Sequence, residues 1–319
     1  MAAGIGILAL AINDINLELV LTQVKQIGWN GLLVVLGIYC LAFILDSITW
    51  TMAITSLPVN VIWVLRTLII RLVGEAFNNT IPAGGVGGEP VKAILLNTHY
   101  GIEFGQGAAS LVLAKTINMI SLCIFLVFGF IIMFLSNKLS LEAKQISFIG
   151  LMVVLISTGL LFLVQKIEFW SLSSNYLSKF KVFHSLDNII NYLKVFDGVI
   201  KAFYHNFLLR FGGAIFLALW NWLLGVLEVF YAMHFLGFPI TLSEAYIIEA
   251  VTQMVRMGTF FIPMSLGAQE GTFVIVVQII TGSGVAGLAL GIIRRIRELI
   301  WILLGFVFGL CFWFVKKNR

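Results

Sequence analysis

The stretch Asn78–Lys92 reads Asn-Asn-Thr-Ile-Pro-Ala-Gly-Gly-Val-Gly-Gly-Glu-Pro-Val-Lys and lies between long apolar segments. Its four glycines and two prolines cannot continue a helix. Glycine costs ~1 kcal/mol and proline ~3 kcal/mol per helix-interior position. Pro82 and Pro90 also lack a backbone donor. The break therefore falls where the flanking sequence reads as membrane. Lipid cannot satisfy free N–H and C=O groups, so such backbone belongs inside protein or along a wet cavity. Asn78, Asn79, Pro82, Gly84, Gly85, Gly87, Gly88, Glu89 and Lys92 are thus the first candidate site residues.

The rest of the chain fits that reading. It has 319 residues, 60% hydrophobic and 11% charged, with a mean hydropathy of +1.04. Soluble domains carry about 25% charged residues. The fold class expected is all-α, a polytopic integral membrane protein forming a single transmembrane domain over 1–319. The net charge of +5 suits lysines flanking spans near anionic lipid heads, not nucleic acid. Cys40, Cys123 and Cys311 each lie in an apolar run, without metal-ligand or disulfide spacing. They read as lipid- or core-facing fillers, and no metal or cofactor is expected. Ala2–Ile12 is apolar but short and follows no basic segment, so no cleavable signal is read there.

In chain order, Ile15–Ile27 reads as an interfacial amphipathic segment. Gly31–Ile54 is long enough to span, at ~20 residues per crossing. Val61–Phe77 is apolar but carries Arg66, Arg71 and Glu75, the last two four apart and able to pair. These charges read either as snorkelling arginines with a local ion pair or as groups turned inward to a polar ligand. Val91–His99 is a helix too short to cross, and Gly101–Gly107 turns the chain. Ala108–Leu135 spans, with Lys115 inside. Asn137–Lys144 is a loop, and Ile146–Val164 spans again. Lys166–Asn206 is the long polar section; its lysines place it in the cytoplasm. Its apolar positions recur at helical spacing, and His184 with Asp187 reads as a solvated face. Phe207–Leu236 spans with Asn221 and Glu228 on one face. Ser243–Met257 is a second short helix, with Ser243 as N-cap and Arg256 near its end. Gly258–Gly271 is a second break, Thr272–Thr281 is short again, and Gly282–Gly287 turns. The final helix carries Arg294, Arg295, Arg297 and Glu298.

The two breaks match at an offset of 181: Ile81 with Ile262, Pro82 with Pro263, Glu89 with Glu270, Gly101 with Gly282. Lys115 falls in register between Arg295 and Arg297. Repeat one covers about 60–135, repeat two about 243–315, and 146–236 connects them. Three expected spans separate the breaks, an odd number, which inverts the second copy. Two inverted repeats, each with a re-entrant broken-helix hairpin, place a site at their interface. The charges put the C-terminus in the cytoplasm, so the first break opens from there and the second from outside. Helix N-termini near Pro90 and Gly271 read as anion cradles. Arg71, Lys92, Lys115, Arg256 and Arg294–Arg297 add full positive charge, which suits a phosphate-bearing head. Pro263, Gly267 and Glu270 form the second break's part of the site. Glu89 and Glu270 read either as caps or as a gating, proton or amine pair.

Gly74–Lys92 resembles the first signature of the flippase-like membrane domain family, which includes the transmembrane region of bacterial lysylphosphatidylglycerol synthases and hopanoid-associated membrane proteins. Pro263–Gly271 and the arginine-rich helix after it are similar to the second. Thr49 precedes Trp50 where family members often carry arginine, and Asp46 lies a turn earlier. The resemblance implies a prokaryotic inner-membrane protein that moves a phospholipid or related polar lipid between leaflets. No counterpart of the synthases' soluble aminoacyl-transferase domain is read, so lipid aminoacylation is not expected. A homo-oligomer and a separate lipid-modifying enzyme are compatible partners. The alternatives are a membrane-embedded enzyme on glycerolipid- or polyprenyl-phosphates and a lipid-presenting partner. Against the enzyme, the sequence carries no metal-binding Asp cluster and no nucleophile with a convincing base.

Overall fold

The computed structural model describes residues 17–80, 87–166, 187–260 and 262–317. The described residues fold entirely as helices and connections. In chain order these are α1 Leu17–Gln26, α2 Gly28–Ala53, α3 Val61–Thr80, α4 Glu89–Tyr100, α5 Phe104–Leu135 and α6 Leu141–Lys166. Then come α7 Asp187–Asn206, α8 Leu208–Phe235, α9 Leu242–Gly258, α10 Ala268–Thr281 and α11 Gly284–Lys317. A 3-10 turn, Pro263–Ser265, precedes α10. By length and apolarity α2, α5, α6 and α8 each suffice to cross a membrane. Large apolar side chains face outward, Leu209 at 93% exposure and Leu135 at 74% among them. Several charged residues, Asp46, Lys92, Glu228, Glu249, Arg294 and Arg297 among them, are buried instead. That inversion suits a lipid solvent: the chain is a multi-pass membrane protein.

The two short helices are as expected. α4 has 12 residues and α10 has 14, about 18 and 21 Å at 1.5 Å per residue. A hydrocarbon core of about 30 Å exceeds both. The offset of 181 also holds at element ends. Val61 and Leu242 start equivalent helices, and Tyr100 and Thr281 end equivalent helices. Gly101 and Gly282 close them with φ of 69° and 81°, a left-handed conformation that glycine adopts without a Cβ penalty. Two units of the same order result, α3–α4–α5 and α9–α10–α11. Each unit's first helix packs on the other's last: α3 on α11, and α9 on α5. α2 and α8 pack on each other and flank this pair.

Several boundaries differ from the sequence reading. α5 begins at Phe104, not Ala108, because only Gly101–Glu103 turns and Glu103 is already extended at φ −54°, ψ 135°. α6 starts at Leu141, shortening the expected loop. α9 is capped by Thr241, not Ser243. Thr241 Oγ1 accepts from the Glu244 N–H at 3.3 Å, and Glu244 Oε2 accepts from the Thr241 N–H at 2.8 Å. This reciprocal capping box satisfies two otherwise orphaned donors. Helix α10 begins at Ala268, because Glu270 Oε2 accepts from the Gly267 N–H at 2.8 Å. α4 begins at Glu89. Cys123 is buried, Cys40 half-buried and Cys311 exposed. His184 and the segment around it lie outside the described residues, as do Ile81–Val86 with Pro82, Gly84 and Gly85.

Candidate functional site: a charged cavity between the two units

Three adjoining cavities, of about 170, 310 and 340 Å³, share Glu75, Trp222 and Arg256 in their walls. Glu75 comes from α3, Trp222 from α8 and Arg256 from α9. Glu75 and Arg256 occupy equivalent positions at the offset of 181, so the hollow lies where the two units face each other.

One wall is built by α2, α3, α4 and α5. Asp46 pairs with Arg71, which also lies 3.9 Å from Glu75. Lys92 bridges Glu75 at 3.2 Å and Glu89 at 3.1 Å. Lys115, half exposed, lies 3.5 Å from Glu89. Asn78 Oδ1 accepts from the Gly88 N–H at 2.6 Å, and Asn79 Nδ2 donates to the Glu75 carbonyl at 2.9 Å. Asn78 thereby ties the end of α3 to the start of α4, while the Asn79 bond closes back within α3. Gly88 is obligatory there, because a Cβ would lie 1.9 Å from the Gly74 carbonyl oxygen. Gly87 lies in the same turn.

The opposite wall belongs to α8, α9 and α11. Arg294 pairs with Glu249, each side chain 2% exposed, and lies 3.4 Å from Glu228. Arg297 pairs with Glu228 and stacks over the Tyr39 ring at 3.6 Å. Gln253 Nε2 donates to Glu249 at 2.6 Å. Beside this wall, Arg295 pairs with Glu270 and bonds Glu298 at 2.7 Å. Arg295, Glu270 and Glu298 line none of these three cavities. The two units are again alike: the glutamate opening each short helix holds a cation of the following long helix, Glu89 with Lys115 and Glu270 with Arg295.

Ten of the sequence-selected residues therefore converge on these cavities, whereas Arg295, Glu270 and Glu298 lie beside them. Arg66 stands apart; it stacks over Trp63 at 4.6 Å and Tyr100 at 5.0 Å, outside these cavities. Pro263 and Gly267 form the second break, where Met264 and Ser265 take φ of 54° and 48°. Non-glycine residues in that region store about 1–3 kcal/mol each. The N-terminus of α10 is filled by its own Glu270, so it offers no open anion cradle.

Sequence reading missed the role of Asp46, Glu228 and Glu249. Each is buried and neutralises an arginine. They change the site's charge. The walls hold six cations (Arg71, Lys92, Lys115, Arg256, Arg294, Arg297) and five carboxylates (Asp46, Glu75, Glu89, Glu228, Glu249). The hollow is thus nearly balanced, not cation-rich. Every one of those carboxylates has a cation within 4 Å. Among the described residues, Arg256 alone of those cations has no ion pair.

Against this geometry stands one family comparison. The model of the lysylphosphatidylglycerol synthase TM region matches residues 1–305. The chain belongs to that family. The resemblance carried by Gly74–Lys92 and Pro263–Gly271 is borne out, and the match takes in the first unit, the second as far as residue 305, and every residue that lines the cavities. No curated protein and no solved structure matches the chain.

Proposed function

We propose that this protein moves a polar, phosphate-bearing lipid between bilayer leaflets, without covalent chemistry, through the hollow between its two broken-helix units. The observation that carries this is the hollow itself: charges from seven helices, most of them buried or half-buried, converge on one space inside an apolar-faced bundle. Charges at membrane depth are expensive and mark polar pathways. A head group crossing the bilayer needs such a path, while its tails remain in the surrounding lipid.

Supporting this reading, the family is one of lipid-handling membrane proteins. The matched helix ends at the offset of 181 and the crossed packing of α3 on α11 and α9 on α5 support two related units. The three long apolar helices between the two breaks, α5, α6 and α8, favour an inverted relation, with the breaks re-entrant from opposite faces. In this arrangement 166–206 and the C-terminus face the cytoplasm of a prokaryotic cell, and the membrane is the inner one. Membrane phospholipids are then the partners.

The test is reconstitution into vesicles carrying tail-labelled phosphatidylglycerol in both leaflets. An impermeant quencher bleaches only the outer leaflet when lipid stays put. Protein-containing vesicles are expected to lose most of the signal, and protein-free ones only the outer share. Lipid that binds but never changes leaflet would favour a lipid-presenting role instead.

A further inference from the structure

We infer that Arg256, with the side-chain amide of Asn221 lining the same two cavities, is the site that holds the phosphate of the cargo. The α11 arginines Arg294, Arg295 and Arg297, three cations in four residues, do not.

The inference follows from which charges are already taken. Arg294 is committed to Glu249, Arg297 to Glu228, and Arg295 to Glu270 and Glu298. Arg71 is held by Asp46, Lys92 by Glu75 and Glu89, and Lys115 by Glu89. An anion reaching the buried ones of these competes with a carboxylate already in place; Lys115, half exposed and 3.5 Å from Glu89, is held most loosely. Breaking a buried pair exposes an uncompensated charge at high cost. Arg256 is half-buried, lines all three cavities, and among the described residues makes no ion pair or hydrogen bond. Asn221 is likewise without a hydrogen bond among the described residues and shares two cavities with Arg256.

The one-charge excess of the cavity walls is thus located at a single guanidinium. A guanidinium held in a low-dielectric hollow favours an anion that completes its neutralisation. A phosphate diester fits best, because its two free oxygens accept a bidentate pair from the planar fork. An amide donor nearby adds a third bond. The equivalent position in the other unit, Glu75, is satisfied internally by Lys92 at 3.2 Å. The two units therefore present opposite charges to the hollow, and only one is left for a ligand. No wall carboxylate is left over for a cationic group, so the site selects on the phosphate.

This assignment rests on the lipid-transport reading for the source of the phosphate, not for the existence of the anion site. The experiment is equilibrium binding to the purified full chain in detergent, with radiolabelled dihexanoyl phosphatidylglycerol as probe. Unlabelled inorganic phosphate and dihexanoylglycerol serve as competitors. Saturable binding is expected, with no competition from dihexanoylglycerol. R256Q should weaken it at least about tenfold, which is about 1.4 kcal/mol and at or below the worth of one hydrogen bond to a charged group. R256K should recover part of the loss, since it restores charge without the fork. Among the described residues Arg256 has no ion pair or hydrogen bond to lose, so both variants should melt close to the wild type. Affinity unchanged in R256Q overturns the inference. Inorganic phosphate competing as well as the phospholipid keeps Arg256 as an anion site but removes the lipid as its source. Binding that depends on Arg256 in a protein that moves no lipid keeps the site and overturns the transport reading alone.

Discussion

Methionine in place of Arg294 strips the cavity's most enclosed pair of its cation. Arg294 and Glu249 are each 2% exposed, so neither can fall back on water. Removing one partner of a buried pair costs about 3–5 kcal/mol, chiefly because the other charge stays behind unpaired. After Arg294→Met, Glu249 keeps only the Gln253 amide at 2.6 Å, while Glu228 still has Arg297. The full range therefore applies. Glu249→Gln is gentler, because Arg294 keeps Glu228 at 3.4 Å; losing one charge-assisted bond costs about 1.5–3 kcal/mol. The double variant leaves neither charge stranded. It should be more stable than Arg294→Met alone, with a coupling of about 0.5–3 kcal/mol. Unfolding in mixed micelles, followed by tryptophan fluorescence, measures all three. A double variant as unstable as the sum of the singles would refute the claim that these two charges compensate each other.

Further outcomes concern the breaks and the cavity wall. Glu89→Gln should slow lipid movement in vesicles while leaving the melting transition nearly in place, since Lys92 retains Glu75; Glu270→Gln should instead lower stability by about 1–3 kcal/mol, because it removes the charge that faces Arg295, although the amide oxygen can still accept the Gly267 N–H. Gly88→Ala drives a methyl into the Gly74 carbonyl and should destabilise by at least about 1–3 kcal/mol, visible as lost monodisperse protein. Arg66→Gln, outside the hollow, should leave lipid movement at the wild-type rate; a clear loss there would move the site towards Trp63 and Tyr100.

Punctuation made the architecture legible. Glycine and proline mark both breaks in the sequence. Gly101 and Gly282 fix the turns after the short helices, so the offset of 181 was readable before any packing was known. The capping box at Thr241 was also present locally, as Thr241 followed three residues later by Glu244, but the neighbouring Ser243 drew the assignment. The charge pairing was not legible. Asp46 meets Arg71 from 25 residues away, and Glu249 meets Arg294 from 45. Each of the acids Asp46, Glu228 and Glu249 stands without a lysine or arginine within four residues to announce its pairing. Sequence reading therefore saw cations gathered near the breaks and inferred a cation-rich hollow. Packing brings in the acids that cancel them and leaves Arg256 over.

The central claim is that cargo passes through this hollow, and plugging it is the most direct test. In a background with Cys40, Cys123 and Cys311 replaced, none of which lines these cavities, a cysteine at Met257 in the cavity wall can be labelled with a bulky thiol reagent. The quencher assay then compares labelled and unlabelled protein in vesicles. The account predicts that labelling stops lipid movement and that reductive removal of the label restores it. Movement at the unlabelled rate with the cavity filled would contradict it.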